Sequence, residues 1–359
     1  MSKSRLLRTV TASLFVVIGL AIAQSPEAAE RELVLGMPTK TAVHAPGFAA
    51  MELGYFAEEG IKLKLVEFTT AVPVMEATLA KTVDIGGGGV FPLVIANGSG
   101  QPKMPLRFFY NHLRRYAFEL MVPPSSAVKT IADLKGRKLG VLSLTTPYAA
   151  VTRSVLAKAG LAPNDVQIVP TGGERKGIEA MLAGQVDAHE IYMGTRAYLE
   201  TDGVKLRQLP YDERIAGLEN YSYYAREEML SKEPEVIAGF GRALAKGVIT
   251  CRIAREWCVK TFWKYFPSIK PTAENMEQEI ARQIYVLKVH EQFMAFPSGD
   301  PEHFGSYTER SFKDMIDVLY EGGQIATIGD AKTLYTGAFV DKFNDFDVAA
   351  VEAKARTLK

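Results

Sequence analysis

Two stretches of the chain, Glu76–Gly86 (EATLAKTVDIG) and Glu179–His189 (EAMLAGQVDAH), align without a gap. Each reads as a helix, a turn and a short strand that opens with Val-Asp. The surroundings of the two copies follow the same order. Around the first, Glu32–Gly36 reads as a strand, Gly47–Gly54 as a helix, Lys62–Phe68 as a strand and Val72–Lys81 as a helix, and Val83–Gly86 is a strand entering four consecutive glycines. Around the second, Ile131–Leu134 is a short helix, Lys138–Leu142 a strand, Pro147–Ala159 a helix, Val166–Pro170 a strand, Glu174–Ala183 a helix and Val186–Ile191 a strand. Strands alternating with helices predict a parallel sheet with helices on its faces. Two copies predict two similar α/β lobes rather than a solenoid. From Glu233 onward the pattern changes to long helices, Glu235–Phe266 and Thr272–Phe296, with apolar residues at helical spacing.

The N-terminus reads as a secretory signal peptide, residues 1–23: Lys3, Arg5 and Arg8 precede an uncharged run from Thr9 to Ala23 that ends in small residues. That run, about 15 residues, is shorter than the roughly 20 a bilayer span needs. Cleavage is expected before Gln24, with no nearby cysteine for a lipid anchor, so the mature chain is expected to be exported and soluble. Without the three leader cations, 42 basic residues become 39 against 41 acidic ones, a net charge of −2. No basic stripe of the kind nucleic acid requires is present. The two cysteines, Cys251 and Cys258, lie seven residues apart in a helical pattern. On one continuous helix they are roughly 10.5 Å apart, beyond disulfide reach, and are expected as buried thiols.

The phosphate-loop, zinc-protease and nucleophile-elbow motifs are absent, and Phe91 occupies the position where the glycine run would complete GxGxxG. The five histidines lack zinc-ligand spacing. What remains is the set of loops that follow strands and open helices, where open α/β sheets hold their ligands. Gly86–Gly89, with Gly88 and Gly89 nearest the helix, is expected either to let backbone N–H groups approach a solute or to make a tight strand-to-helix turn. Thr70, Thr145 and Thr146 are either ligand contacts or local caps, and His44 either touches ligand or braces its loop. Glu190 facing a ligand calls for N–H donors or positive charge; paired with Arg175 instead, it leaves an anion site to the glycine and threonine loops. Tyr148 and Tyr192 are candidates to sandwich a planar ring.

The segments Ala45–Phe68 (APGFAAMELGYFAEEGIKLKLVEF), Met75–Gly86 (MEATLAKTVDIG), Ile131–Val141 (IADLKGRKLGV) and Leu156–Val169 (LAKAGLAPNDVQIV) resemble the nitrate, sulfonate and taurine-type periplasmic binding proteins and the related thiamine-pyrimidine precursor binders. The resemblance implies an ABC-importer receptor, in which two lobes close over one small solute, a sulfonate, carboxylate or aminopyrimidine. It implies no cofactor and no metal, a membrane permease as partner, and a monomer. The implied first lobe is Arg31 to about Phe118, the second about Glu119 to Leu218, and residues 219–359 return to the first with the C-terminal helices of a type II binding fold. Phe240–Pro271 also resembles the thiamine-pyrimidine synthases, an enzymatic branch that carries a cysteine cluster just upstream. Here Asn220–Leu230 (NYSYYAREEML) has no cysteine, so the implied function is binding rather than catalysis, with a secreted enzyme of the same fold as the alternative.

Overall fold

A computed structural model describes residues 30–38, 42–99, 103–144, 146, 148–295 and 303–359. The leader and its cleavage point lie outside these, as does Thr145. The strands are β1 (Arg31–Pro38), β2 (Ile61–Phe68), β3 (Ile85–Gly89), β4 (Leu106–Leu113), β5 (Phe118–Val122), β6 (Lys138–Val141), β7 (Gln167–Pro170), β8 (Ala188–Tyr192), β9 (Arg207–Leu209) and β10 (Tyr221–Arg226). They form two five-stranded sheets, ordered β2-β1-β3-β10-β4 and β7-β6-β8-β5-β9. The first lobe is built on the former sheet and the second on the latter.

Both sheets are mixed, which corrects the expectation of parallel ones. β1 runs parallel to β2 and β3, and β6 parallel to β7 and β8, as their βαβ connections require. β10 and β5 lie antiparallel to both of their neighbours. Each of these two strands is the first that the chain makes after leaving the other sheet, so no packed crossover helix imposes a parallel direction. The repeated Val-Asp has the same job in each lobe. Asp84 accepts the Val34 N–H at 2.9 Å and Asp187 accepts the Lys138 N–H at 2.9 Å. Arg31 pairs with the first at 3.3 Å and Arg137 with the second at 3.0 Å.

The C-terminal helices differ from expectation at one point. In place of a single helix over 235–266 there are two, Pro234–Ile253 and Arg255–Tyr265, separated at Ala254, whose backbone (φ −109°, ψ 55°) is not helical. No Gly or Pro announces the break. It turns the two segments toward each other, the Cα atoms of Cys251 and Cys258 come within 5.5 Å, and the two form a disulfide. The expectation of separate thiols rested on a helix that does not continue.

Helix Pro234–Ile253 packs on helix Ala45–Glu52 of the first lobe. Two later helices reach across to the second lobe. Met276–Met294 packs against Met193–Thr201 and against the turn Ala42–His44. Glu309–Glu321 packs against Tyr148–Lys158, where Ser154 donates to the Val318 carbonyl at 2.6 Å. The same helix stacks Phe312 on Phe108 of the first lobe, with centroids 5.4 Å apart. No helix among the described residues is long and apolar enough to cross a membrane.

Candidate functional site

The four glycines belong to β3 itself, not to a loop beyond it. Their partner strand explains the first two. A Cβ on Gly86 would lie 2.3 Å from the Tyr224 ring, and one on Gly87 would lie 2.7 Å from the Tyr221 hydroxyl, so glycine here clears room for tyrosines of β10. The last two have more space. A Cβ on Gly88 would meet Ala71 Cβ at 3.3 Å, and one on Gly89 would meet the Tyr148 hydroxyl at 3.4 Å. That last contact joins the lobes, because Tyr148 opens a helix of the second.

From Gly89 a chain of contacts runs around the cleft and returns. Tyr148 lies against Phe118 with ring centroids 3.8 Å apart, and Phe118 lies 5.6 Å from Tyr192. The Tyr192 hydroxyl is 3.3 Å from His290 Nε2 on the C-terminal helix. The helix that carries His290, Met276–Met294, packs against the turn Ala42–His44. His44 meets Tyr221 edge to face at 5.4 Å, and Tyr221 pairs with Gly89 in the sheet. Four predicted residues, His44, Gly89, Tyr148 and Tyr192, are thus brought together from distant parts of the chain.

Glu190 lies behind the aromatic wall, 4% exposed. Its Oε1 accepts from the Thr152 hydroxyl at 2.7 Å and, at 3.4 Å, from Tyr116. Burial raises its pKa to about 7; the two hydroxyls oppose that shift and the nearby carboxylate of Glu174 adds to it. Glu174 accepts the Tyr192 N–H at 3.0 Å and is itself raised by burial. Arg175 does not pair with Glu190: it binds Asp202 at 3.0 Å. Among the described residues no cation touches Glu190, so this corner of the cleft offers oxygen acceptors and hydroxyls.

The first-lobe side is neutral. His44 and His290 are buried, and desolvation lowers their pKa values to about 3 and about 4. His290 Nδ1 donates to the Val286 carbonyl at 2.8 Å, which leaves Nε2 as the acceptor for Tyr192. Three hydroxyl-bearing or glycine candidates stand apart from the ring of contacts. Thr70 is exposed at the start of helix Ala71–Leu79 and makes no capping bond. Thr146 donates to the Ser143 carbonyl at 3.1 Å, bracing its own turn. Gly88 faces Ala71. The residues that sequence reasoning missed are Tyr116, Phe118, Thr152, Glu174, Tyr221 and His290. Tyr221 carried a signal, since a run of tyrosines beside a run of glycines is what interlocking strands need; Thr152 and Tyr116 carried none.

Two lobes on mixed sheets of matching order, with polar and aromatic side chains meeting between them, define the two-lobed periplasmic-binding-protein fold. The E. coli aliphatic sulphonate binding protein SsuA superposes with a TM-score of 0.65 at 19% identity, over 84% of this chain and 96% of that one. The Xanthomonas axonopodis alkanesulfonate-binding SsuA, solved with MOPS, gives 0.59 at 19% identity, over 87% of this chain and 100% of that one. The profile of the family described as NMT1/THI5 like matches residues 41–252, and the chain belongs to that family. Among curated proteins it is 24% identical over 252 residues to the 4-amino-5-hydroxymethyl-2-methylpyrimidine phosphate synthase THI12 of Saccharomyces cerevisiae, covering 66% of this chain and 70% of that protein. It is 28% identical over 142 residues to a putative aliphatic sulfonates-binding protein of E. coli, covering 36% of this chain and 40% of the other.

Proposed function

We propose that the chain is the solute-binding receptor of an ABC importer, exported to the periplasm with cleavage before Gln24, acting as a monomer and delivering one small organic solute to a membrane permease. The fold and the relatives support the receptor class, and the Cys251–Cys258 disulfide suits an oxidising compartment. The first lobe is assigned to Arg31 to about Phe118 with residues 219–359, and the second to about Glu119 to Leu218. Within the range of sulfonate, carboxylate or aminopyrimidine, the cleft favours the last, a planar solute bearing N–H donors. One observation carries this: Glu190 is buried beside a tyrosine and, among the described residues, bonded to hydroxyls alone, so its ionised form would repel a sulfonate or carboxylate in a dry site and would accept from an N–H donor. A ring packed on the Tyr148, Phe118 and Tyr192 cluster with an amino group toward Glu190 satisfies both requirements.

The test is a thermal-shift and calorimetric comparison of 4-amino-5-hydroxymethyl-2-methylpyrimidine with an alkanesulfonate. A ligand at 100 times its Kd stabilises the folded state by about 2.7 kcal/mol. A shift with the sulfonate alone rejects the donor-bearing reading, and a shift with neither rejects the ligand range. The second reading is a secreted enzyme, favoured by the synthases among the relatives and by Glu190, a buried carboxyl with a pKa near 7 beside a phenol, suited to proton transfer. Conversion of a bound solute at a rate that depends on Glu190 or His44 selects it over the receptor.

A further inference from the structure

We propose that His44 Nδ1 and Tyr221 Oη form the first-lobe recognition pair for the solute, the imidazole nitrogen accepting an N–H or O–H of the ligand and the phenol donating to a neighbouring ligand acceptor. The proposal rests on the receptor reading above and assigns the end of the cleft opposite Glu190.

Both atoms are buried and neither has a hydrogen-bond partner. Their residues are 2% and 7% exposed. Buried polar atoms are nearly always bonded, so two orphans in one ring contact call for an absent partner. The tautomer of His44 follows from its other nitrogen. Nε2 lies 3.3 Å from the Pro38 carbonyl, which only accepts, so Nε2 carries the proton and Nδ1 presents a lone pair. Burial keeps the ring neutral, so it does not become a cation for an anionic group. The two rings are held edge to face at 5.4 Å, and a second buried imidazole, His112, also meets Tyr221 edge to face at 5.9 Å while bonding the Val43 carbonyl at 2.9 Å. The pair is therefore positioned before any solute arrives. With an acceptor in each lobe, Glu190 in the second and His44 in the first, the pair selects a solute that carries more than one donor, such as a ring with an amino group and a hydroxymethyl.

The experiment measures two quantities for Tyr221→Phe and His44→Gln: the Tm of the unliganded protein and the Kd for 4-amino-5-hydroxymethyl-2-methylpyrimidine. The glutamine amide is intended to keep the bond to Pro38 while removing the Nδ1 lone pair. Deleting a hydroxyl that has no protein partner leaves the unliganded Tm unchanged or raises it, whereas deleting half of a recognition pair weakens binding by roughly ten- to a hundredfold. A lower Tm for Tyr221→Phe assigns the hydroxyl to the fold and overturns the proposal, and so does an unchanged Kd in both variants. Failure of the wild-type protein to bind the pyrimidine counts against the ligand class proposed above, while the Tm of Tyr221→Phe still decides whether the hydroxyl is a structural partner.

Discussion

β3 and β8 hold the same place in their two sheets and follow the same helix-turn-Val-Asp segment, yet one reads IGGGG and the other AHEIY. In the aligned copies Gly86 corresponds to His189, Gly87 to Glu190 and Gly89 to Tyr192. The second lobe supplies its cleft chemistry from the strand itself and makes room elsewhere: a Cβ on Gly177 or Gly140 would lie 1.8 or 2.4 Å from the His189 ring. The first lobe does the reverse. Its strand gives up side chains, and its cleft chemistry comes from β10 and from the turn that carries His44. One scaffold thus places functional groups by two routes, and glycine marks whichever element makes way.

The largest effect that separates the lobes is expected at Glu190. Glu190→Gln should weaken binding of an amine-bearing solute by about a hundredfold, since removing one partner of a buried charged contact costs about 2–5 kcal/mol, and should strengthen any residual binding of an alkanesulfonate. Calorimetry of both ligands reads the sign. The wild-type affinity for the amine should rise between pH 6 and 8, as the carboxyl with a pKa of about 7 ionises, and the profile should be flat in the variant. Folding stability runs the other way. The native state keeps the Glu190 proton to higher pH than the unfolded chain does, so the stability contributed by this one group falls as pH rises from the ordinary carboxylate range through about 7. The difference in urea stability between wild type and Glu190→Gln should carry that slope.

Next in size is Gly86→Ala. The Tyr224 ring stands at 2.3 Å, so a cost of about 1–3 kcal/mol is expected in denaturant unfolding, with a similar cost for Gly177→Ala beneath His189. A neutral result at either position would break the idea that these glycines make room for rings. Smaller still, Asp84→Asn and Asp187→Asn should each cost about 1–2 kcal/mol, nearly equally, because each carboxylate bonds an equivalent backbone N–H at 2.9 Å. Strongly unequal values would mean that the lobes are less alike in energy than in plan. The smallest effect is expected for Gly88→Ala, under about 1 kcal/mol, since only the Ala71 methyl stands near.

Much of this architecture is written in local pattern. The strands and helices around the two copies fall within a few residues of where apolar periodicity places them, as with β2 and helix Glu174–Leu182. What local pattern does not carry is direction and long-range pairing. Nothing within Tyr221–Arg226 says that it will insert antiparallel between β3 and β4, and the glycines therefore read as a loop when they are a strand paired to those tyrosines. The break at Ala254 is equally silent, because alanine favours helix and the disulfide that accompanies the turn depends on tertiary packing. The cleft was half legible. His44 and Tyr192 sit at a helix start and a strand end, where position alone nominates them, and Glu190 lies two residues before that end. His290 lies in mid-helix and Thr152 one turn into another, and each was indistinguishable from a packing residue until the fold brought it to the site.

The tyrosines lying over Gly86 and Gly87 also bear on how this cleft can change its ligand over generations. A point mutation at Gly86 or Gly87 has nowhere to put a new side chain, so under this proposal new specificity in the first lobe has to come from the roomier end of β3, from β10 or from the turn at His44. Positions 190 and 192 of the second lobe already carry polar side chains on the strand, and if they meet the solute as proposed a single codon change there can redirect recognition. Divergence among close homologues should therefore accumulate on β8 while the glycines stay fixed, so that the half of the cleft with no side chains on its strand is also the half with the longer memory.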